Sequence, residues 1–159
     1  MPPTPRHLPQ LLGDARRWFE DAMFTALEAA GEQPVTPPQA QLFAVLDEEG
    51  TTVSEAARRM GVTRQTAHQA VHGLVAAGML EQVPHPTSAR QRLIRRTPEG
   101  ERVHRRAGLI LEALEAQLAE RVGRETVDAL RAALEAPWGP PPEVDLPQTQ
   151  SPEAPQDMW

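Results

Sequence analysis

A mainly α-helical fold with one small β-hairpin is what this sequence predicts, and three observations predict it. Apolar residues recur at helical spacing in several separate segments. Three helix starts are spelled out as Thr36-Pro37-Pro38-Gln39, Thr52-Val53-Ser54-Glu55 and Thr97-Pro98-Glu99-Gly100. One stretch between them, Met79 to Arg96, breaks the helical pattern with a proline-bearing turn flanked by extended runs.

Residues 1–9 are proline-rich and read as a flexible arm. The first helix is predicted from about Leu11 to Ala30, with Gly31 as its stop. Its stripe of Leu11, Ala15, Trp18, Phe19, Ala22, Met23, Ala26 and Leu27 is wider than one face of a small domain requires. Packing within the chain and packing against a second chain both account for that width. Trp18 and Phe19 are also candidates to line a small-molecule pocket.

The next helix starts at a Thr36 cap, carries Ala40, Leu42, Phe43, Val45 and Leu46, and runs into Asp47-Glu48-Glu49-Gly50. Acidic residues at that end oppose the helix dipole. A third helix follows the Thr52 cap, with Glu55 closing a capping box, and ends at Gly61. Only Val62 separates that glycine from the next cap, Thr63. Two helices joined by so short a glycine turn match the helix-turn-helix pattern.

The second helix of that pair, about Arg64 to Ala77, has a dry side of Ala67, Ala70, Val71 and Leu74. Arg64, Gln65, His68, Gln69 and His72 fall outside it, with no acidic residue among them. Arg pairs bidentately with guanine and Gln with adenine in a major groove, so this face has the chemistry to read bases. A plain solvated face is the alternative. Thr63 and Thr66, at the positive end of the helix, are candidates for phosphate contacts.

Met79 to Val83 and Arg90 to Arg96 read as two strands joined by a proline-stiffened tip, Pro84 to Ala89. Arg90, Arg92, Arg95 and Arg96 make the return strand basic. A long helix then opens at Thr97 and carries Val103, Ala107, Ile110, Leu111, Leu114, Leu118 and Val122 as a seam. A last helix, about Glu125 to Glu135, presents Val127, Leu130 and Leu134. Residues 137–159 are rich in Pro, Gln and acidic residues, which predicts a disordered tail.

Composition narrows the function. The chain has 159 residues, one domain's worth, with no cysteine, which excludes disulfides and thiol chemistry. Aromatics are 4% of the residues, so the core is expected to be mostly Leu, Val, Ala and Ile. No apolar run approaches the ~18 residues of a membrane span, and no signal-peptide core opens the chain. A soluble cytoplasmic protein is expected. The net charge is −6, yet Thr51 to Arg106 holds ten arginines against four acidic residues. The remainder holds six arginines against 18 acidic residues. That asymmetry places a nucleic-acid contact in the centre of the chain.

The central stretch resembles the winged helix-turn-helix of MarR-family transcription regulators. The likeness rests on the helix-turn-helix, the Gly78 after it, Arg90 at the position of the wing arginine, and Thr97 and Gly100 in the motif opening the long helix. Ser88 stands where that family has an aspartate, and Arg96 where it has a leucine. The resemblance implies one domain over about 10–136. Its DNA-binding lobe would span about 36–97, and its dimerisation helices about 10–31 and 98–136. It further implies a homodimer on a palindromic operator in double-stranded DNA, acting as a ligand-responsive repressor. A small lipophilic or phenolic effector would bind between the dimer helices and the lobe. On this reading Arg64, Gln65, His68, Gln69 and His72 face bases, Thr63 and Thr66 face phosphates, and Arg90, Arg92 and Arg95 act from the wing.

Two rival readings stand beside it. One is a winged-helix protein-interaction module without specific DNA binding, for which Ser88 and the Gln69–Gly73 segment leave room. The other is a metal-responsive regulator using His68 and His72, four residues apart, with His85 and His104. No motif of a metalloprotease, serine hydrolase, P-loop or dinucleotide enzyme is present, and no catalytic residue, cofactor or resident metal is predicted.

Overall fold

The computed structural model describes residues 5–145. Six helices and one hairpin follow in the order α1 (Leu8–Ala29), α2 (Pro37–Val45), α3 (Val53–Met60), α4 (Arg64–Ala76), β1 (Leu80–His85), β2 (Ser88–Arg96), α5 (Pro98–Val122) and α6 (Arg124–Glu135). The chain is mainly helical with a two-stranded wing, as the sequence predicts.

Local chemistry sets most boundaries. Thr36, Thr52, Thr63 and Thr97 each accept a hydrogen bond from the backbone N–H three residues on. Gly61 closes α3 at φ 66°, a left-handed conformation that costs glycine little. Two expectations need correcting. First, α1 begins at Leu8 rather than Leu11, because Pro9 lies in the first turn, where its missing N–H has no helical partner to lose. Second, Glu55 does not reach back to complete a capping box on α3. Its carboxylate is taken by Arg58 and Arg59 instead.

The core lies between α2, α3, α4 and the hairpin. Leu42, Val71, Leu74, Leu80 and Ile94 are its most deeply buried large side chains, drawn from α2, α4, β1 and β2. Each contributes about 1.5–3 kcal/mol by leaving water. Met60, Met79 and Phe43 join the same cluster, so the core is less purely aliphatic than composition implies. The hairpin pairs Leu80 with Arg96 and Val83 with Leu93, with an irregularity at Pro84/His85. The strands therefore reach further toward the tip than the prolines suggest. Thr51 bridges Ile94 through two backbone bonds of 2.9 Å, which sews the wing to the segment before α3.

One close approach joins wing, α4 and α5. The Met79 carbonyl accepts from Thr97 N–H at 3.1 Å, and the Thr97 hydroxyl donates to the Gly78 carbonyl at 2.6 Å. A β-carbon on Gly100 would overlap the Met79 carbonyl oxygen. Glycine is required there by space.

α1 and α5 pack together outside the lobe, and α6 folds against α5. Of the predicted α1 stripe only Met23 and Leu27 are buried. Residues 137–145 carry no helix or strand, and Trp138 donates its indole N–H to the Ala133 carbonyl at 2.8 Å. The rest of the tail predicted to be disordered, 146–159, lies outside the described residues, as do residues 1–4 of the arm.

Gly100→Ala is expected to lower the urea-unfolding free energy by ~3 kcal/mol or more, since backbone must move to admit the methyl. Gly108→Ala, within α5 and with open space around its Cα, should raise it by about 0.5–1 kcal/mol through helix propensity.

Candidate nucleic-acid interface and an adjoining cleft

The two faces of α4 divide as the sequence predicts. Ala67, Ala70, Val71 and Leu74 are buried, while Arg64, Gln65, His68, Gln69 and His72 are exposed. Among the described residues, none of those five side chains makes a hydrogen bond within the chain. Their polar groups are free for a partner. Thr63 and Thr66 are less free: Thr63 Oγ1 accepts from Thr66 N–H at 3.1 Å and lies 2.8 Å from Thr66 Oγ1. A β-carbon at Gly73 would meet only the end of the Gln39 side chain from α2, which can swing aside.

The ten central arginines do not share one role. Arg58 and Arg59 bind Glu55, and Arg59 also binds Asp47 and donates to the Val45 carbonyl at 2.8 Å. Arg102 and Arg106 clasp Glu32, whose side chain is only 6% exposed. On the wing Arg95 is held by Glu81 across the hairpin at 2.7 Å. Arg96 points inward: its side chain is 8% exposed, with Nε on Glu101 at 2.7 Å and Nη1 on the Phe43 and Leu46 carbonyls at 3.1 and 3.2 Å. Among the described residues Arg64, Arg90, Arg92 and Arg105 have no ion pair. The exposed, uncompensated cations beside the α4 face are therefore Arg64 on α4 and Arg90 and Arg92 on the wing, the last with one weak 3.4 Å contact to the Gln82 carbonyl.

These pairs also explain the acidic end of α2. Arg96 and Arg59 cap its terminal carbonyls, and Asp47 is neutralised by Arg59 and bonded by Thr51. The Arg58 and Arg59 guanidiniums hold the Glu55 carboxyl down to about 2. Arg102 and Arg106 likewise lower Glu32, against the opposing effect of desolvation.

Behind the lobe, α1, α2 and α5 enclose a cleft of about 540 Å³. Phe19, Met23, Phe43, Val103, Ala107 and Leu111 give it an apolar wall, with Arg16, Glu20 and His104 as polar members. Of the two aromatic candidates Phe19 lines the cleft, and Trp18 does not. Trp18 meets Phe19 edge to face at 4.8 Å and lies under the Arg121 guanidinium at 5.8 Å. His104 stacks on Phe43, ring centres 6.3 Å apart. Burial, then the nearby Arg96 charge, push its pKa below the ordinary imidazole value, partly offset by Glu101.

The four histidines of the metal reading do not gather. His68 and His72 lie on α4, His85 on the wing accepting from Thr87 N–H, and His104 in the cleft. Among the described residues no three His, Asp or Glu side chains converge as a metal site. No helix there is long and apolar enough to cross a membrane.

A helix-turn-helix with a basic wing, set on long outer helices, defines a winged-helix regulator. Comparison with known proteins gives the same class. The MarR family model matches residues 33–91. An uncharacterized protein of Mycobacterium tuberculosis is 30% identical over 105 residues, 66% of this chain and 73% of that protein. The transcriptional repressor CouR, solved on a 23-mer DNA duplex, is similar in fold at TM-score 0.67 and 23% identity, covering 80% of this chain and 89% of CouR. NadR in complex with 4-hydroxyphenylacetate is similar at TM-score 0.65 and 21% identity, covering 84% of this chain and 95% of NadR. The chain belongs to the MarR family of winged-helix transcriptional regulators.

A pH consequence follows from the Glu55 cluster. Because the folded pKa is lowered from 4.5 to about 2, its stabilisation is present above the unfolded value and is lost as pH falls toward 2. Urea midpoints of wild type and Glu55→Gln are expected to differ most above pH 5. The gap should shrink steadily between pH 5 and pH 2.

Proposed function

We propose that the chain acts as a homodimeric, sequence-specific DNA-binding repressor whose affinity for its operator responds to a small lipophilic or phenolic effector. The observation that carries the DNA reading is the α4 face. Arg64, Gln65, His68, Gln69 and His72 are exposed and unengaged, and the free wing cations Arg90 and Arg92 accompany them. Gln and Arg supply bidentate base readout in a major groove, with Arg64 and Gln65 in the first turn. Arg90 and Arg92 bind phosphates or a minor groove beside it. Arg95 joins them only by leaving Glu81. Thr63 and Thr66 serve as cap and phosphate donor at the helix N-terminus.

Dimerisation is supported by apolar surface the single chain does not cover. No residue of α6 is buried, and Leu130 and Leu134 are 48% and 46% exposed. Leu109 on α5, at 66%, and Leu11 on α1, at 39%, extend the same kind of surface. Two copies joined through the outer helices present two α4 helices to half-sites about one helical turn apart, roughly 34 Å. The effector reading is supported by the cleft, which has a size and an apolar lining suited to a small aromatic molecule. The bound 4-hydroxyphenylacetate of NadR is a molecule of that class. An occupant changes DNA affinity only by binding one spacing of the two lobes better than the other.

The test is a comparison of two arginines by fluorescence anisotropy on preferred and random duplexes. Arg64→Ala is expected to lose about 1–3 kcal/mol on the preferred sequence and little on the random one. Arg92→Ala should weaken both alike and reduce the salt slope by about 2 per dimer. Equal effects of the two variants on both duplexes would overturn this division of roles. The paired substitution Leu130→Glu with Leu134→Glu is expected to shift the sedimenting species from dimer to monomer with helix content unchanged.

A further inference from the structure

Arg96 occupies the point where three elements meet. It is the last residue of β2, so it ends the strand that carries Arg90 and Arg92. Its guanidinium holds the end of α2 through the Phe43 and Leu46 carbonyls, and the first turns of α5 through Glu101. Two of its neighbours are also neighbours of the cleft. Phe43 lines the cleft with its ring while its carbonyl accepts from Arg96. His104 lines the cleft, stacks on that ring, and lies one helical turn beyond Glu101. The Glu101 carboxyl is lowered by its bond to Arg96 first, and charge on His104 or Arg105 acts on it in the same direction, so one carboxylate answers to both Arg96 and His104.

We propose that Arg96 is the positioning residue through which the state of the cleft sets the placement of the wing. The proposal rests on the regulator reading above and names how its cleft would be connected to its DNA-contacting arginines. The connection is short. Displacing the Phe43 ring moves a carbonyl that Arg96 holds. Placing charge on His104 repels the Arg96 guanidinium and draws Glu101 away from it. Either event loosens the tether at the base of β2. A nearly buried guanidinium cannot drift in response, because losing a partner leaves charge and carbonyls unpaired. It must find a second arrangement, and the strand it ends moves with it. A leucine at this position would fill space without holding either carbonyl.

The charged groups around His104 define the conditions for a test. From β2 it faces Arg96. On its own helix it faces Glu101, with Arg105 acting on that carboxylate. From α1, Arg16 and Glu20 share the cleft lining, bonded to each other at 2.7 Å. α2 contributes Phe43 and Gln41 and no titratable side chain. With burial opposing its charge and Arg96 nearby, His104 gains its proton at a lower pH than an ordinary imidazole does.

The experiment is an NMR pH titration of the full chain without DNA, in a His85→Asn background so that the wing has no histidine of its own. Backbone amides of β1 and β2 are expected to shift with the same midpoint as the His104 ring protons. That response should vanish in His104→Asn, and in Arg96→Leu while the His104 ring itself still titrates. Wing amides that ignore the His104 midpoint would overturn the proposal. So would wing amides that follow it undiminished in Arg96→Leu. Should Arg96→Leu fail to fold, Glu101→Gln, which keeps both carbonyl contacts, must reduce the wing response at least twofold. An undiminished response there overturns the proposal equally. Duplex affinity measured on the same samples at both ends of the titration reports separately on the regulator reading. Wing coupling without DNA binding would sustain the link and remove the function.

Discussion

The Met79 carbonyl joins the parts of this protein that would touch DNA. It lies three residues past the end of α4, immediately precedes β1, accepts from Thr97, and is pressed against Gly100 of α5. α4, the wing and α5 therefore leave one point at angles fixed by backbone contact rather than by adaptable side chains. Interiors packed this closely transmit displacement instead of absorbing it. The Thr51–Ile94 bridge and the Arg96 tether attach the wing at two further places, and their partners come from the segment before α3, from α2 and from α5. The wing is held at its base and projects freely only at its tip.

Arginine does two kinds of work in this chain. Where a carboxylate lies within reach, the guanidinium is spent on structure: Glu32 on the α1–α2 connection is clasped from α5, Asp47 and Glu55 are neutralised from α3, and Glu101 holds Arg96. Where none does, it remains on the surface, and among the ten central arginines those positions are Arg64 on α4, Arg90 and Arg92 on β2, and Arg105 on α5. The central charge excess is real, but fewer than half of its ten cations are uncompensated. The paired ones bring lobe and outer helices together and cap α2. An acidic protein can present a basic reading surface in this way without a high net charge.

Much of the architecture was legible because local chemistry and hydrophobic period agreed. The threonine caps, Gly61 and the Ala67–Leu74 stripe each specify the same elements that form, and the exposed α4 face follows from that stripe alone. What was not legible depended on distance along the chain. Nothing near Glu32 announces Arg102 and Arg106, some seventy residues away. Arg96 reads as one more basic wing residue until the end of α2 is seen beside it. The capping box at Thr52 was misread because Glu55 has two better cationic partners one turn on. Trp18 and Phe19 touch edge to face, yet only Phe19 lines the cleft, since consecutive helical residues diverge by about 100°. The cleft could be anticipated only in outline, because its walls come from three elements.

The most direct measurement is selection of bound sequences from a randomised duplex pool by the purified protein at two salt concentrations. The account predicts a palindromic motif with half-sites about ten base pairs apart, recovered at both salts and lost with Arg64→Ala. Weak binding that salt abolishes, with no motif recovered, would contradict it. The exposed α4 face would then have to serve a protein partner instead.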